Sequence, residues 1–422
     1  MSSRESLLDE MQWRGLLYQQ TEGAEAHLSA GPVAGYCGFD PTADSLHVGN
    51  LVAIMGLVHL QRAGHRPVAL VGGGTGMIGD PSGKTAERQL LTVEEIDANT
   101  ASIRAQLERF LDFSGEYAAR MVDNGEWLRE LKAIEFMRDV GKHFTVNLMM
   151  QKDSVKSRLD IGISYTEFSY MLLQAYDFLE LNRRYGVTLQ VGGSVTPCAS
   201  FCSVRRISSV PAVMLPHWSL PLVTTAGGSK FGKSEAGAVW LDASRTSPYQ
   251  FYQFWVNADD DDAVKYLRMF TLLGRDEIDV LTAALAAAPH ERAAQRRLAA
   301  DVTARVHGAT AAGLAEQVSR VIFDKRVNAR ELSVEVFETL AAELPHVLTR
   351  RTDSGVNIVE ALEQAFALSR TAARKLIQQG AVHVNGHKLA AEAQTVDVVD
   401  AVHGRWFLLR KGGRDVAVVE LA

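Results

Sequence analysis

The sequence predicts an α/β fold that begins with a parallel sheet and continues into an all-helical region and a small α+β module. In the first half, short apolar runs alternate with helical patterns, which is typical of a parallel sheet with helices on both faces. Strand signals then stop from Ser247 to about Phe323. From Val356 onwards, two short helical patterns precede a hairpin signal. The predicted division is therefore 1–246, 247–323, a polar linker at 324–355, and 356–422.

The elements around the expected site follow from local patterns. An apolar run ending in Gly72–Gly74 is typical of a buried strand, and Glu94 and Glu95 fall in the first turn of a long amphipathic pattern. Ligands of such sheets bind at the carboxyl ends of the strands, where His47 and Gly72–Gly74 both lie. The predicted strands are Val33–Phe39 and Val68–Val71, and the predicted helices are Leu51–Leu60 and Thr92–Leu111.

The composition is that of an ordinary globular protein. The 422 residues suffice for two or three domains, and 47% of them are apolar against 22% charged. No apolar run reaches the length of a membrane span, so no membrane partner is expected. Three cysteines do not suggest a disulfide framework, which favours the cytoplasm; Cys198 and Cys202 lack a second ligand pair, so no metal site is predicted. The net charge of −6 excludes a uniformly basic surface but not a local basic patch.

The turn after the first predicted strand has the composition of an anion site. This first motif, residues 40–50, places His47, Gly49 and Asn50 at a strand-to-helix turn. A helix N-terminus offers unpaired N–H groups and a positive dipole end. Gly49 permits close approach of the backbone, and the side chains of His47 and Asn50 add donors. The turn therefore predicts a bound anion.

A second motif, the Lys-Phe-Gly-Lys-Ser sequence of residues 230–234, lies in a loop of small residues. Lys230 and Lys233 are three residues apart, and Ser234 adds a hydroxyl. Such a loop can close over phosphates. Together the two motifs predict a nucleoside triphosphate held between a fixed turn and a basic loop.

A weaker signal leaves a nicotinamide-dependent oxidoreductase as an alternative. Gly74, Gly76 and Gly79 match a dinucleotide-binding fingerprint after a strand. However, Pro81 falls where the helix of that motif should continue, and proline interrupts helices.

The paired motifs resemble the signatures of class I aminoacyl-tRNA synthetases, in which the first usually ends in His rather than Asn50. The stretches 36–42, 76–82 and 168–177 narrow the resemblance to bacterial tyrosyl-tRNA synthetases. This resemblance implies a Rossmann-like catalytic domain, a helical anticodon-stem domain and a tyrosine–tRNA ligase activity. It also implies tRNA(Tyr), L-tyrosine and ATP as partners, Mg²⁺ with the ATP, and a homodimer; Ile134 to Met150 is the expected interface.

The resemblance further implies which residues bind tyrosine. Tyr36 and Asp177 would hydrogen-bond the phenol. Asp80, Tyr170 and Gln174 would accept from the ammonium group. Tyr170, Gln174 and Asp177 are spaced i, i+4, i+7, so one helix face would present all three.

ATP would be bound by the two motifs and by neighbouring loops. By the same resemblance, His47 and Asn50 would serve the γ-phosphate side of the transition state, and Lys230, Lys233 and Ser234 would hold the departing pyrophosphate. The implied ATP-binding residues are Gly38, Asp40, Gly49, Lys84, Arg88, Gly193 and Lys233.

The C-terminal stretch Ser369 to Gly386 resembles ribosomal-protein-S4-like RNA-binding domains. A cluster of cations on the second predicted helix favours RNA over the alternative of a dimerisation module. The predicted RNA-binding residues are Arg370, Arg374, Lys375, Arg410 and Lys411.

One segment, 195–218, departs from the family pattern. The family has Asp-Gln-Trp-Gly-Asn where this chain has Val195 to Ala199. The missing Asp and Gln would hydrogen-bond the ribose and orient the substrate. Since a hydrogen bond to a charged group contributes about 1.5–3 kcal/mol, two losses would slow the reaction by about a hundred- to ten-thousand-fold. A catalytically weakened paralogue that binds RNA or a small molecule is therefore a further alternative.

Overall fold

A sheet of six strands organises the first part of the chain. The computed structural model describes residues 6–79, 91–156, 162–193, 217–226, 228, 231–234, 237–350, 355–413 and 415–422. The described strands are β1 (Gln19–Gln20), β2 (Ala34–Phe39), β3 (Arg66–Val71), β4 (Arg120–Asp123), β5 (Val187–Gly193), β6 (His217–Leu220), β7 (Lys233–Ser234), β8 (Gly237–Ala238), β9 (His346–Thr349), β10 (Val356–Asn357), β11 (Val382–Val384), β12 (His387–Lys388), β13 (Thr395–Val396), β14 (Trp406–Lys411) and β15 (Asp415–Leu421).

Helices flank this sheet, and further helices follow it along the chain. Within the described residues, no helix combines the length and the apolar content that a bilayer crossing needs. The described α-helices are α1 (Leu7–Trp13), α2 (Ala24–Ser29), α3 (Leu51–Arg62), α4 (Val93–Leu107), α5 (Gly125–Leu128), α6 (Ala133–Asp139), α7 (Val146–Met150), α8 (Asp153–Lys156), α9 (Tyr165–Tyr185), α10 (Pro248–Val256), α11 (Asp260–Phe270), α12 (Arg275–Ala287), α13 (Ala293–His307), α14 (Ala309–Phe323), α15 (Val334–Glu343), α16 (Ile358–Phe366) and α17 (Arg370–Gln378).

The topology of the six-stranded sheet agrees with the sequence prediction. The strand order is β1-β6-β5-β2-β3-β4, and all neighbours are parallel except β1, which is antiparallel to β6. Tyr36 of the central strand β2 pairs with Val68 on β3 and with Gln190 on β5. The predicted parallel sheet is confirmed. Because β2 is central, its carboxyl end delivers the first motif to the middle of the sheet.

The two faces of the sheet are covered by different helices. Consecutive residues of a strand point to opposite faces. At Gly35, an added Cβ would lie 2.8 Å from the side chain of Leu60, so α3 covers this face. Tyr36 points to the other face and belongs to a buried cluster with Phe178 and Leu181 of α9. The helix that carries the predicted tyrosine-binding residues is thus fixed against the central strand.

Contacts group the chain into two units, and these differ from the predicted domains. The first unit comprises Met1–Thr246 and Val256–Leu298, and the second comprises Ser247–Trp255 and Ala299–Ala422. Much of the predicted helical domain therefore packs with the catalytic sheet.

The second unit is built around a five-stranded sheet of order β12-β11-β14-β15-β9. One face packs on α16 and α17, and the other packs on α14 and α15. The hairpin turn predicted at Asn385 and Gly386 is confirmed, because both residues have positive φ, at 51° and 87°.

The predicted linker at 324–355 is wrong. Within it, Val334–Glu343 forms α15, and His346–Thr349 forms β9, which pairs in parallel with β15. Phe337 and Leu340 of α15 are fully buried in the core that this sheet shares with α14. The polar composition of the segment concealed an apolar stripe with helical spacing.

Candidate active site

The first motif forms a tight turn that its own side chains hold in place. Val48–Asn50 is a single 3-10 turn between β2 and α3. The N–H of His47 donates to Asn50 Oδ1 at 3.0 Å, and the N–H of Gly49 donates to His47 Nδ1 at 3.0 Å. Two predicted catalytic side chains therefore fix the backbone of the turn at the carboxyl end of the central strand.

The second motif lies directly against the first. Gly232 has φ +88°, and a Cβ added there would lie 2.9 Å from Val48 Cγ2 and 3.4 Å from the Gly49 nitrogen. Val239 connects the two motifs, since its N–H donates to Gly232 and its carbonyl accepts from Val48, at 3.1 and 2.9 Å. Gly232 therefore lies beside Val48, from which it is separated by 184 positions in the sequence (232 − 48), and the predicted anion site requires such proximity of the two motifs.

A buried carboxylate forms the deepest polar point of the site. Asp177 on α9 is 2% exposed. Its Oδ1 accepts from Trp127 Nε1 at 2.8 Å, and its Oδ2 accepts from Asn124 Nδ2 at 2.9 Å. Both donors follow β4, so the end of this strand and α9 together hold the carboxylate.

Burial raises the pKa values of two side chains at this point of the site, Asp177 and Tyr36. Burial raises the pKa of Asp177 to about 8, against the opposing hydrogen bonds from Asn124 and Trp127. Burial also raises the pKa of Tyr36 well above its ordinary value, and the charge of Asp177 adds to this effect. Gln190 approaches the Tyr36 hydroxyl, but no described residue meets hydrogen-bond geometry with it. The hydroxyl is thus a buried polar group suited to a ligand's polar atom.

A chain of hydrogen bonds joins Asp177 to the end of the central strand. Asn124 Nδ2 donates to Thr75 Oγ1 at 3.0 Å, and Thr75 Oγ1 donates to Asp40 Oδ1 at 3.0 Å. The hydroxyl of Tyr170 donates to Asp40 Oδ2 at 3.0 Å. Tyr170 and Asp177 lie at the two ends of this chain, which therefore ties α9 to residues that follow β2, β3 and β4.

The central strand β2 has one residue whose backbone no described residue covers. Gly38 on β2 is exposed, and no described atom lies within 4 Å of a Cβ added there. A central strand is normally covered on both faces. Among the described residues, Gly38 therefore presents its backbone to a ligand on the strand that leads to the first motif.

Comparison with known proteins decides the family. A family model described as class I tRNA synthetases (W and Y) matches residues 28–324, and one described as the tyrosine–tRNA ligase SYY-like C-terminal domain matches residues 336–419. A tyrosine–tRNA ligase of Anaeromyxobacter dehalogenans is 48% identical over 424 positions, covering 99% of this chain and 100% of the relative. One of Roseiflexus castenholzii is 46% identical over 428 positions, covering 99% of each. This chain belongs to the bacterial tyrosine–tRNA ligase family.

A solved structure supports the same family. The C-terminally truncated mitochondrial tyrosyl-tRNA synthetase of Aspergillus nidulans matches with a TM-score of 0.68 and 28% identity, covering 76% of this chain and 95% of that one. The predicted fold, family, enzyme class and ligase function are confirmed. Membership of the tyrosine–tRNA ligase family removes the oxidoreductase alternative.

Several residues implied by the family pattern lie outside the described residues. Gln174 is half-buried on α9, and Gly193 ends β5 opposite Leu220. The predicted divergent segment 195–218 is described only from His217, where β6 begins. The residues outside the description are Asp80, Lys84, Arg88 and Lys230, together with the side chains of Lys233 and Ser234.

Sequence analysis missed the residues that hold Asp177 in this ligase. Asn124, Trp127 and Thr75 carry no motif, and the first two lie 50 or more positions from Asp177. A usable signal did exist, since Asn124 directly follows a strand of the parallel sheet and so lies at the ligand-binding edge.

The C-terminal cations divide into two groups. Arg370, Arg374 and Lys375 are exposed on α17, as an RNA contact requires. Lys411 pairs with Asp415 at 2.8 Å and, with Lys375, borders a groove of about 600 Å³. The exposed group remains a prediction.

The prediction of Arg410 as an RNA contact is wrong. Arg410 is 6% exposed, and its guanidinium donates to the carbonyls of Val321 and Ile322 at the end of α14. The last carbonyls of a helix lack partners within the helix, and Arg410 supplies them. The sequence prediction assumed that a positively charged residue lies at the surface, whereas the Arg410 side chain caps a buried helix end.

Proposed function

We propose that this chain carries out both steps of tyrosine–tRNA ligation with the residues assigned above. In the first step, the tyrosine carboxylate attacks the α-phosphate of ATP, which gives tyrosyl-adenylate and releases pyrophosphate. In the second step, a ribose hydroxyl at the tRNA 3′ end attacks the activated carbonyl, and AMP leaves. The observation that carries this proposal is the direct contact of the two nucleotide motifs at Gly232 and Gly49.

Catalysis in the first step is positioning and charge stabilisation. The carboxylate nucleophile is already ionised, so no general base is needed. His47 and Asn50 act on the γ-phosphate side, and Lys230, Lys233 and Ser234 hold the departing pyrophosphate. Gly38, Asp40, Gly49, Lys84, Arg88 and Gly193 complete the ATP site.

Tyrosine lies with its ring between the central strand and α9. Its phenol meets Asp177 and Tyr36, and its ammonium group meets Asp80, Tyr170 and Gln174. The burial of Asp177 and the orphaned hydroxyl of Tyr36 support this orientation. Phenylalanine would offer no polar atom to the Tyr36 hydroxyl and no further donor to Asp177, which favours rejection of that amino acid.

The nucleotide step can be tested with Lys233→Ala. Pyrophosphate exchange should fall by about a hundredfold, because the lysine acts on phosphates only as they separate. Equilibrium tyrosine binding should stay within about twofold, because the lysine does not touch the amino acid. An exchange rate equal to that of the unmodified protein would remove the second motif from the mechanism.

The phenol site predicts a pH-dependent affinity for tyrosine. Below pH about 8, the free site holds a proton on Asp177, whereas a phenol that donates to the carboxylate favours its ionised form. Binding then releases a proton, so the Kd for tyrosine should fall as pH rises from about 6 to about 8 and level off above that. Calorimetric titration across this range measures the slope.

Two variants separate this effect from other titrations. Asp177→Asn should flatten the pH dependence. Asp97→Asn alters a surface carboxylate that pairs with Arg129 and should retain it. A slope that survives in Asp177→Asn would assign the proton to another group.

The remaining partners belong to the same proposal. Mg²⁺ arrives with ATP, since it binds chiefly through substrate phosphates, and adenylate formation should therefore require added Mg²⁺. The exposed cations of α17 hold the tRNA backbone, which makes the C-terminal module the RNA-binding part of the predicted division. Because charging of tRNA serves translation, we place the protein in the cytoplasm; a membrane-bound or secreted fraction on cell fractionation would contradict this.

A homodimer through Ile134 to Met150 is supported by apolar exposure. On α6 and α7, Ile134 is 73%, Met137 50% and Val146 63% exposed. Contiguous exposed apolar side chains mark protein–protein interfaces. Sedimentation equilibrium tests this, and a monomer at micromolar concentration would rule it out.

A further inference from the structure

The phenylalanine at the centre of the second motif is buried in an aromatic seat on α11. Phe231 is 5% exposed and stacks on Phe270 with 5.3 Å between ring centroids and 10° between planes. Its centroid also lies 5.0 Å from that of Tyr266. Both partners lie one turn apart on the same helix face, and both are at most 3% exposed. A ring packed against two buried rings cannot shift without opening a void.

The chain that leads into the motif is tied to the same helix. The N–H of Ala226 donates to Asp262 Oδ2 at 2.8 Å, and Asp262 is itself 4% exposed. Lys265 Nζ donates to the carbonyl of Thr224 at 3.2 Å. The contacts with Thr224, Ala226 and Phe231 are therefore made by residues distributed along α11, from Asp262 to Phe270.

The residue after Phe231 lies close to the first motif. Its neighbour Gly232 lies against Val48 and Gly49. The two residues thus hold the second motif from both sides. Phe231 packs it against α11, and Gly232 determines how closely it approaches the predicted phosphate-binding turn.

We propose that Phe231 is a positioning residue for adenylate formation, with Tyr266, Phe270 and Asp262 of α11 as its support. It does not touch substrate. It fixes the described backbone at Phe231 and Gly232, which Lys230 precedes and Lys233 follows in the sequence, so its loss misplaces groups that act on the phosphates. This inference rests on the proposed function, because it assumes that those lysines act on pyrophosphate.

The test compares Phe231→Ala with Phe231→Leu in the full chain. Displacing a catalytic group by about 1 Å can cost about a hundredfold in rate, so Phe231→Ala should slow pyrophosphate exchange by about that factor with the tyrosine Kd unchanged. Phe231→Leu fills most of the seat and should recover most of the rate. Asp262→Ala should also slow exchange, whereas Asp262→Asn keeps an acceptor for Ala226 and should not.

Matched controls keep the outcomes separate. Ile278→Ala empties an equally buried site on α12 and should lower thermal stability without slowing exchange. Equal losses of exchange in Ile278→Ala and Phe231→Ala, or a parallel loss of tyrosine affinity, would overturn the positioning role. If Phe231→Ala does not fold, normal exchange in Asp262→Ala would overturn it. Slow exchange in Lys233→Ala with normal exchange in Phe231→Ala refutes this inference alone, and normal exchange in Lys233→Ala refutes the proposed function.

Discussion

Gly232→Ala should reduce adenylate formation by about a hundredfold while leaving tyrosine affinity nearly unchanged. The new Cβ would lie 2.9 Å from Val48 Cγ2, which is closer than carbon atoms pack. Val48 is fully buried and cannot move aside, and the φ of +88° is also unfavourable for alanine. The second motif must then retreat from the first. Pyrophosphate exchange and equilibrium tyrosine binding measure the two effects.

Gly228→Ala provides a control for backbone strain. Gly228 lies in the same loop with φ +76°, but it is exposed and no described atom lies within 4 Å of an added Cβ. Alanine at position 228 therefore adopts a similarly unfavourable positive φ, but its Cβ collides with no described atom. Equal rates in the two variants would mean that strain alone is responsible, and contact between the motifs would lose its role.

The two motifs of the candidate site could be identified in the sequence because each is local. Each motif lies within about ten residues, and the strand before the first motif tells where it must lie in a parallel sheet. The proximity of Gly232 to Gly49 could not be predicted from the sequence, since it depends on how Gly232 packs against the turn at Val48–Asn50. The family resemblance supplied the pairing that the residues alone only suggested.

The support of Asp177 shows where such prediction ends. Spacing on α9 places Asp177 beside Tyr170 and Gln174, but the raised pKa depends on burial and on donors that follow β4. Asparagine and tryptophan after a strand have many uses, so neither identifies a partner. Only the tertiary arrangement determines which carboxylate they meet.

The second unit was predicted less well, because its core joins distant segments. Val318 of α14 and Phe337 of α15 share one buried cluster with Trp406 and Val418 of the C-terminal sheet. A deletion that begins at Val356 would therefore remove the part of that core that the C-terminal sheet contributes and expose the rest. Point substitutions are the sharper test of the C-terminal module.

Arg410→Met should destabilise the second unit by about 1–3 kcal/mol, because it leaves the carbonyls of Val321 and Ile322 buried without a donor. Charging of tRNA should fall accordingly, whereas pyrophosphate exchange, which depends on the first unit, should continue. Denaturant unfolding of the full chain without RNA measures the stability. Methionine keeps most of the apolar stem, so the loss reports the guanidinium rather than a cavity.

Lys375→Met removes a cation of the same predicted RNA-binding set that is exposed on α17. This variant should unfold at the same denaturant concentration as the unmodified protein. Its affinity for RNA should fall irrespective of the RNA sequence. The slope of log affinity against log salt concentration should decrease in magnitude by about one. Arg410→Met should change stability and not that slope, since the guanidinium already donates inside the protein. If Arg410→Met instead keeps full stability and loses salt dependence, Arg410 contacts RNA as the sequence predicted, and the capping of α14 by its side chain is wrong.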